Sequence, residues 1–503
     1  MVIDDTKSFN VQVISTKIRN SNGNNWDAIP ENIPVAINDL SGPGTVWLPP
    51  NTVFDFNFIL NLENDLTFLG AGNTTVLKRA NNSLQDIMRI GEWESTGRHN
   101  IRIENMLFDG NCHNNNAKYE VESIDLRGDT SNVLIKNCFF KDSVGTNIGA
   151  HIYTSNITVD SCNFNYVKPK LDEWPSAIWF GGSNNIARNN FIKDVWAAGI
   201  VFESITAERP SMNNLAENNE VTGVIAYGLY MEGKGKSKNC TFRNNHVHDI
   251  DSEAYSETNN MAGEGIIMTE GSICEDNIFE NILNPNFSGI HAVGDVTIQR
   301  NTIRNIGYFG IWHHFDNTFL TGNATIKDNI LENIHGESAI RGETNCVETL
   351  SNNTITNAAK YGIRSCNIMT NNHIYGAITG ISRGITINDN DVENCTIGIT
   401  PSVGADVLNN NVKHCSYRGI QATLDNMNIN DNTVEDGGET GIQLDSASQC
   451  SVLRNTVFGS RLYEIAESGS ADYNDVSYNI LNLGTCTPLL IIGPHTTHVG
   501  NVV

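Results

Sequence analysis

From about residue 96 the chain repeats one pattern of apolar and polar positions. A short alternating strand leads to an Asn, a second short strand, a tight connection, then Gly-Ile and a third strand. Clear copies read VTIQRNTIRNIGYFGIW (296–312), NATIKDNILENIHGESAIR (323–341) and MNINDNTVEDGGETGIQL (427–444). Alternation with a period of two predicts strands whose successive side chains face opposite sides. One position holds an unbroken series: Asn190, Asn219, Asn245, Asn277, Asn301, Asn329, Asn353, Asn372, Asn390, Asn410, Asn432, Asn455 and Asn479, at intervals of 18 to 32 residues. A second series marks the third strand: Gly199, Gly228, Gly265, Gly289, Gly310, Gly362, Gly380, Gly398, Gly419 and Gly441, with Ala339 filling the gap. The pattern predicts a coil of three strands per turn. Asn is expected to take the left-handed turn conformation at low cost. Its amide is expected to bond to the copies in neighbouring coils, as ladders in stacked strands do. A single coil cannot bury its inner face, so many must stack. Leucine-rich repeats would need a Leu-x-x-Leu-x-Leu frame, which is absent, and propeller blades a period of roughly 40 residues.

These repeats resemble the right-handed parallel β-helix of the pectate-lyase-like superfamily. The opening adds to the likeness. Trp26-Asp27 precede IPENIPVAINDL (29–40), which predicts a short capping helix, and then come GTVWLPPNTVF (44–54) and LTFLGAGNTTVLKRA (66–80). This is similar to the start of a module found in extracellular glycan-active enzymes and virus tailspikes. The expected organisation is all-β: an N-terminal cap with the first coils over 1–95, the parallel β-helix over 96–482, and a last coil over 483–503. The resemblance implies a polysaccharide partner, an extracellular, cell-surface or virion location, and a homotrimer if the chain is a tailspike. It does not choose a reaction, because this scaffold hosts hydrolases, lyases, epimerases and non-enzymes.

Composition narrows the partners. The 503 residues carry a formal net charge of −25. That argues against nucleic acid, which wants a basic stripe, and makes a strongly anionic polymer a poor substrate. No apolar run approaches the ~20 residues of a membrane helix. The opening MVIDDTKSFN lacks the basic start and apolar stretch of a signal peptide. The eleven cysteines include no Cys-x-x-Cys pair. Several fall at periodic positions otherwise held by Val, Ile or Asn, and are expected to be small, buried and reduced.

Connection lengths place the site. Late coils run eight or nine residues from the Asn to the next Gly, but Asn277 to Gly289 takes 12, Asn245 to Gly265 takes 20, and Cys162 to Ala177 takes 15. Long insertions on one side of a solenoid mark its binding face, so the site is expected between about residues 125 and 345. With Ile of the Gly-Ile pair facing inward, the residue after it and the one two further on face out. The outward column then reads Asp125 and Arg127, His151, Trp179, Glu203, Tyr230 and Glu232, Thr269, His291, Trp312 and His314, Arg341 and Glu343. Trp179, Tyr230 and Trp312 suit the C–H faces of sugar rings. The alternative is a solvated sheet with scattered aromatics.

Hydrolysis needs two carboxyl groups, ~5–5.5 Å apart for retention and ~6.5–9.5 Å for inversion. Glu203 and Glu232 occupy equivalent outward positions one coil apart. Asp172 and Glu173 in KPKLDEWPS (168–176), and Asp316, sit on loops that reach the same face, and Lys234 would lie at the groove edge. Each of these is otherwise an ordinary solvated side chain. Elimination needs a base beside a uronate carboxylate, and a cation such as Arg, Lys or Ca²⁺ to neutralise it. Tyr230, His291, His314 and Arg341 are the residues for that chemistry. No metal ligand set is evident: His313 and His314 are adjacent in a strand, so one points in and one out. The catalytic motifs of polygalacturonases, classical pectate lyases and alginate epimerases are absent from the repeats, so no catalytic residue carries over from those families.

Overall fold

A computed structural model describes residues 15–93, 97–115, 121–167, 174–231, 235–250, 263–314, 322–343, 346–482 and 486–503. Among them are 58 strands and one α-helix, Asn32–Asn38. All but two of the strands form three long sheets of 20, 18 and 18 strands, to each of which a coil contributes one strand in turn; the other two, Ser211–Met212 and Ser237–Lys238, pair with each other. In one coil the first sheet takes Val296–Gln299, the second Thr302–Ile306 and the third Phe309–His314. Every pairing between successive coils is parallel. The exception lies at the start of the first sheet, where Lys17–Asn20 runs antiparallel to Asn25–Asp27 and Gly44–Trp47. The helix lays Ile33, Ala36 and Ile37 over this open end, as the capping segment predicts.

Inward positions fill the tube with Ile, Val, Leu and stacked Phe. Phe108, Phe140 and Phe164 stack at 4.9 and 4.7 Å between ring centres. The Asn series is a continuous buried ladder. Asn190 Nδ2 donates to Asn219 Oδ1 at 2.9 Å, and the same bond recurs from coil to coil as far as Asn501. Each ladder oxygen also accepts the backbone N–H of the Asn in the coil before.

One expectation is corrected. The left-handed residue is not the ladder Asn but the one before it: Asn189, Asp276, Arg300, Asp328 and Tyr478 have φ of 56°, 57°, 55°, 57° and 57°. That residue turns the chain outward, and the ladder Asn can then send its amide into the coil. The Gly of Gly-Ile has a different task. Pairing of Ser176–Phe180 with Ala198–Phe202 joins Ser176 to Ala198 and then Ile178 to Ile200, skipping Gly199. A Cβ on Gly199 would lie 2.6 Å from both Val221 Cγ1 and Gly228 O. Gly and Ile therefore both face the core, and the residue before each Gly is swung to the outer face.

Candidate functional site

The third sheet carries a continuous stripe of chemistry on its outer face. Register places Trp179, Val201, Tyr230, Ile267, His291, Trp312 and Arg341 side by side in consecutive coils. At ~4.8 Å per coil, Trp179 and Trp312 stand about 24 Å apart. The middle of the stripe is apolar: Ala198, Val201, Ala226 and Tyr227 pack with Trp179, Tyr230 and Ile267. Trp174 stacks on Tyr227 at 6.0 Å. The groups expected to lie together here, Trp179, Tyr230, His291, Trp312, His314 and Arg341, do share this face.

At the N-terminal end a buried charge cluster closes the stripe. Arg89 Nε lies 3.0 Å from Asp125 Oδ2 and its Nη2 2.7 Å from Asp86 Oδ2. Arg127 pairs with Asp125 as well. His151 Nε2 lies 3.2 Å from Asp125 Oδ1 and 3.8 Å from Glu122 Oε2. Its ring sits edge-on between Trp93 and Trp179, at 4.8 and 4.9 Å. The two aspartates are driven apart in acidity. Burial and the neighbouring Asp125 charge push Asp86 up. Burial would also raise Asp125, but His151 and Arg127 outweigh it and hold that carboxyl far below the usual range. Burial disfavours the His151 cation, yet bonds and charge from Asp125 and Glu122 lift it to about 9.

The C-terminal end has a second network. His291 Nε2 and His314 Nδ1 are 2.8 Å apart, so one donates and the other accepts. His291 Nδ1 lies 3.4 Å from Glu264 Oε1, and Glu264 Oε2 accepts the Ser288 N–H at 2.6 Å. Trp312 stacks on His291 at 4.5 Å and on His314 at 4.4 Å. The indole N–H of Trp312 is enclosed and has no acceptor among the described residues. Arg341 extends Nη1 to Glu337 at 3.0 Å and Nη2 to Glu343 at 2.9 Å, and Arg364 also pairs with Glu337.

Glu203 is partly exposed beside the column, with Lys236 Nζ 3.8 Å from its carboxyl. Its backbone carbonyl accepts the Trp179 indole N–H at 3.0 Å. Glu232, Lys234, Asp172, Glu173 and Asp316 lie outside the described residues. Asp86, Arg89, Glu122 and Glu264 belong to these networks and were not anticipated. Glu264 precedes Gly265, so the kink at Gly-Ile is the signal that would have found it. Arg89 sits in Met88–Ile90, a third-sheet strand that precedes the first well-phased repeat.

Residues 338–481 match the family model described as a right handed beta helix region. No curated protein matches the chain. Among solved structures it is similar to PfbA, a surface adhesin of Streptococcus pneumoniae, at 13% identity over 78% of this chain and 88% of that one, TM-score 0.37. It is similar to a hyperthermoactive exopolygalacturonase from Thermotoga maritima at 13% identity, over 65% and 88% of the two chains, TM-score 0.43. A mutant tailspike protein of E. coli bacteriophage HK620, solved in complex with pentasaccharide, matches at 12% identity over 92% and 74%, TM-score 0.35. With three parallel sheets wound coil upon coil and a matching family model over 338–481, the chain is a right-handed parallel β-helix.

Proposed function

We propose that this β-helix binds a neutral or weakly charged polysaccharide along the outer face of its third sheet and hydrolyses a glycosidic bond beside Glu203. The observation that carries the reading is the single register column holding Trp179, Tyr230 and Trp312 across five coil steps. A row of that length suits an extended chain of several sugar rings. Hydrolysis is preferred to elimination because the cations on this face already meet carboxylates: Arg89 and Arg127 on Asp125, Arg341 on Glu337 and Glu343, Lys236 near Glu203. A uronate would have to displace those partners. Glu203 acts as one carboxyl of the pair and Glu232 as the other, one protonating the leaving oxygen while the other attacks or positions water. Secretion to the cell exterior or display on a virion fits such a substrate. Among the described residues no helix is long and apolar enough to cross a membrane.

The test is a panel of neutral and uronate glycans, read both for new reducing ends and for the ultraviolet absorbance of an unsaturated product. Reducing ends without that absorbance are expected. Glu203→Gln and Glu232→Gln should each cut turnover by ~100-fold or more, while Trp312→Ala raises KM with a smaller change in kcat. Unsaturated product would move the assignment to elimination through Tyr230, His291, His314 and Arg341, with Ca²⁺ as a candidate neutralising ion. Binding without turnover would make the chain a glycan-binding shaft.

A further inference from the structure

On the core side of the C-terminal network, three side chains of metal-ligand type converge. His313 lies between the outward Trp312 and His314 on Phe309–His314 and points inward. Cys346 and Glu348 open the first-sheet strand two coils on, Val347–Ser351. One ligand atom from each lies within 4.8 Å of the others. His313 and Glu348 are fully enclosed and Cys346 is 2% exposed.

The hydrogen bonds favour one tautomer. His313 Nε2 is 3.0 Å from the Gly294 carbonyl. A carbonyl oxygen only accepts, so Nε2 carries a proton. Nδ1 then faces Glu348 Oε1 at 3.0 Å. A histidine that binds a metal through one nitrogen commonly donates its other N–H to a backbone carbonyl in this way. Glu348 supplies the second, independent observation. Its Oε1 accepts the Glu343 N–H at 3.3 Å, but Oε2 is buried with no partner among the described residues. An enclosed carboxylate oxygen without a donor is costly. The space is made for it: a Cβ on Gly342 would lie 2.5 Å from the Glu348 carboxyl carbon.

A metal-free cluster accounts for the Nδ1 contact and for the Cys346 thiol beside His313, but leaves Glu348 Oε2 without a donor among the described residues. We propose that His313 Nδ1, Cys346 Sγ and the Glu348 carboxylate bind a divalent cation of the zinc class. The mixed nitrogen, sulfur and oxygen set suits Zn²⁺ better than Ca²⁺ or Mg²⁺, which take oxygen ligands. Charge balances on binding. The ion replaces the Nδ1 proton and the thiol proton, which pass to solvent, and a dication with one thiolate and one carboxylate is neutral. The ion ties the third-sheet strand Phe309–His314 to the first-sheet strand two coils later. Two other clusters of similar make-up among the described residues are not equivalent: Glu122 with Asp125 and His151, where Arg89 and Arg127 already compensate Asp125, and Cys112 with His113 and Asp142, where His113 is exposed and Lys141 pairs with Asp142.

The whole chain, stripped with a chelator and repurified, is titrated with Co²⁺ and separately with Zn²⁺. The expected result is one equivalent of Co²⁺ giving a thiolate-to-cobalt charge-transfer band, displaced by Zn²⁺, with a raised melting temperature. Cys346→Ser should abolish the band, and Glu348→Gln should weaken binding by ~10-fold or more. Circular dichroism checks that each variant is folded. If a variant does not fold, the wild-type spectrum and stoichiometry decide alone. A wild-type protein without a charge-transfer band, or a band unchanged in folded Cys346→Ser, overturns the site.

Discussion

Removing one rung of the buried Asn ladder has a cost that the geometry allows to be worked out. Asn301 Oδ1 accepts from Asn277 N and Asn277 Nδ2, each at 3.0 Å. Asn301 Nδ2 donates to Cys274 O at 2.9 Å and to Asn329 Oδ1 at 3.0 Å. Asn301→Ala breaks all four, but their consequences differ. Asn277 Nδ2 keeps its bond to Phe242 O, and Asn329 Oδ1 keeps the Asn301 N–H. The Asn277 backbone N–H is the group left stranded inside the coil. An orphaned buried donor costs about 1–3 kcal/mol, and each partly compensated loss about 0.5 kcal/mol. With the three other losses, at Asn277 Nδ2, Asn329 Oδ1 and Cys274 O, the sum is about 2.5–4.5 kcal/mol. Exposed Asn428, whose amide meets Asp406 at 2.7 Å, is the control, and its Ala variant should stay within about 0.5 kcal/mol of the parent. Long repeat arrays need not unfold in one step, so chemical denaturation is paired with hydrogen exchange over 270–305. Faster exchange confined to the coils around Asn277, with an earlier denaturation midpoint, is expected. If Asn301→Ala matches Asn428→Ala in both measurements, the ladder is not holding the coils as argued.

Two further outcomes follow. His151 is raised to about 9 from the ordinary 6.5, so its contribution is complete below pH 6.5 and fades as pH climbs to 9, with a ceiling of about 3 kcal/mol; His151→Gln should remove that alkaline decline from the denaturation midpoint, and parallel pH curves for variant and parent would refute the pairing. Ten of the eleven cysteines are buried and none is disulfide-bonded, so Cys486, the one partly exposed, should be labelled first by a thiol reagent, and mass spectrometry finding Cys240 or Cys274 modified at a similar rate in native protein would contradict this.

The ladder was legible because a buried amide that bonds to its own copies tolerates no other residue easily, so Asn held phase in the sequence. The turn beside it was marked less strictly. Asn or Asp holds ten of the thirteen positions before the ladder Asn, as their tolerance of the left-handed conformation favours. The ladder bonds hold Arg300, Arg454 and Tyr478 in the same conformation, so the preference is broken there and the adjacent Asn drew the reading instead. The Gly-Ile kink was hidden for a different reason. A strict period of two assigns one face to each residue, but Gly199 and Ile200 both face inward, and Gly265 repeats this, its absent Cβ falling 2.4 Å from Gly289 O. Strict alternation puts the residue before such a Gly on the core face, so the outward column did not include Glu264, Tyr227 or Phe309. The Asp86–Arg89–Asp125–Arg127 cluster joins residues about forty positions apart, and only the register of the first coils brings them together.

The pairing of charges on the third sheet bears directly on what can lie there. Each guanidinium at the two ends of the stripe is held by a carboxylate, and the apolar middle carries none. A charged polymer would have to break ion pairs at both ends before gaining contacts, whereas a hydroxyl-rich chain leaves them intact. Ring faces line the stripe, and the enclosed Trp312 indole N–H, without an acceptor among the described residues, becomes a donor to the polymer once the ring shifts to uncover it. A sugar hydroxyl accepting from that N–H would fix the polymer's register along the column and so decide which linkage faces Glu203. The indole would then act on position as well as affinity. Trp312→Phe, which keeps an aromatic face and deletes the donor, should change the distribution of product lengths more than it changes KM. A product pattern identical to the parent's would mean that the Trp312 donor does not set the register.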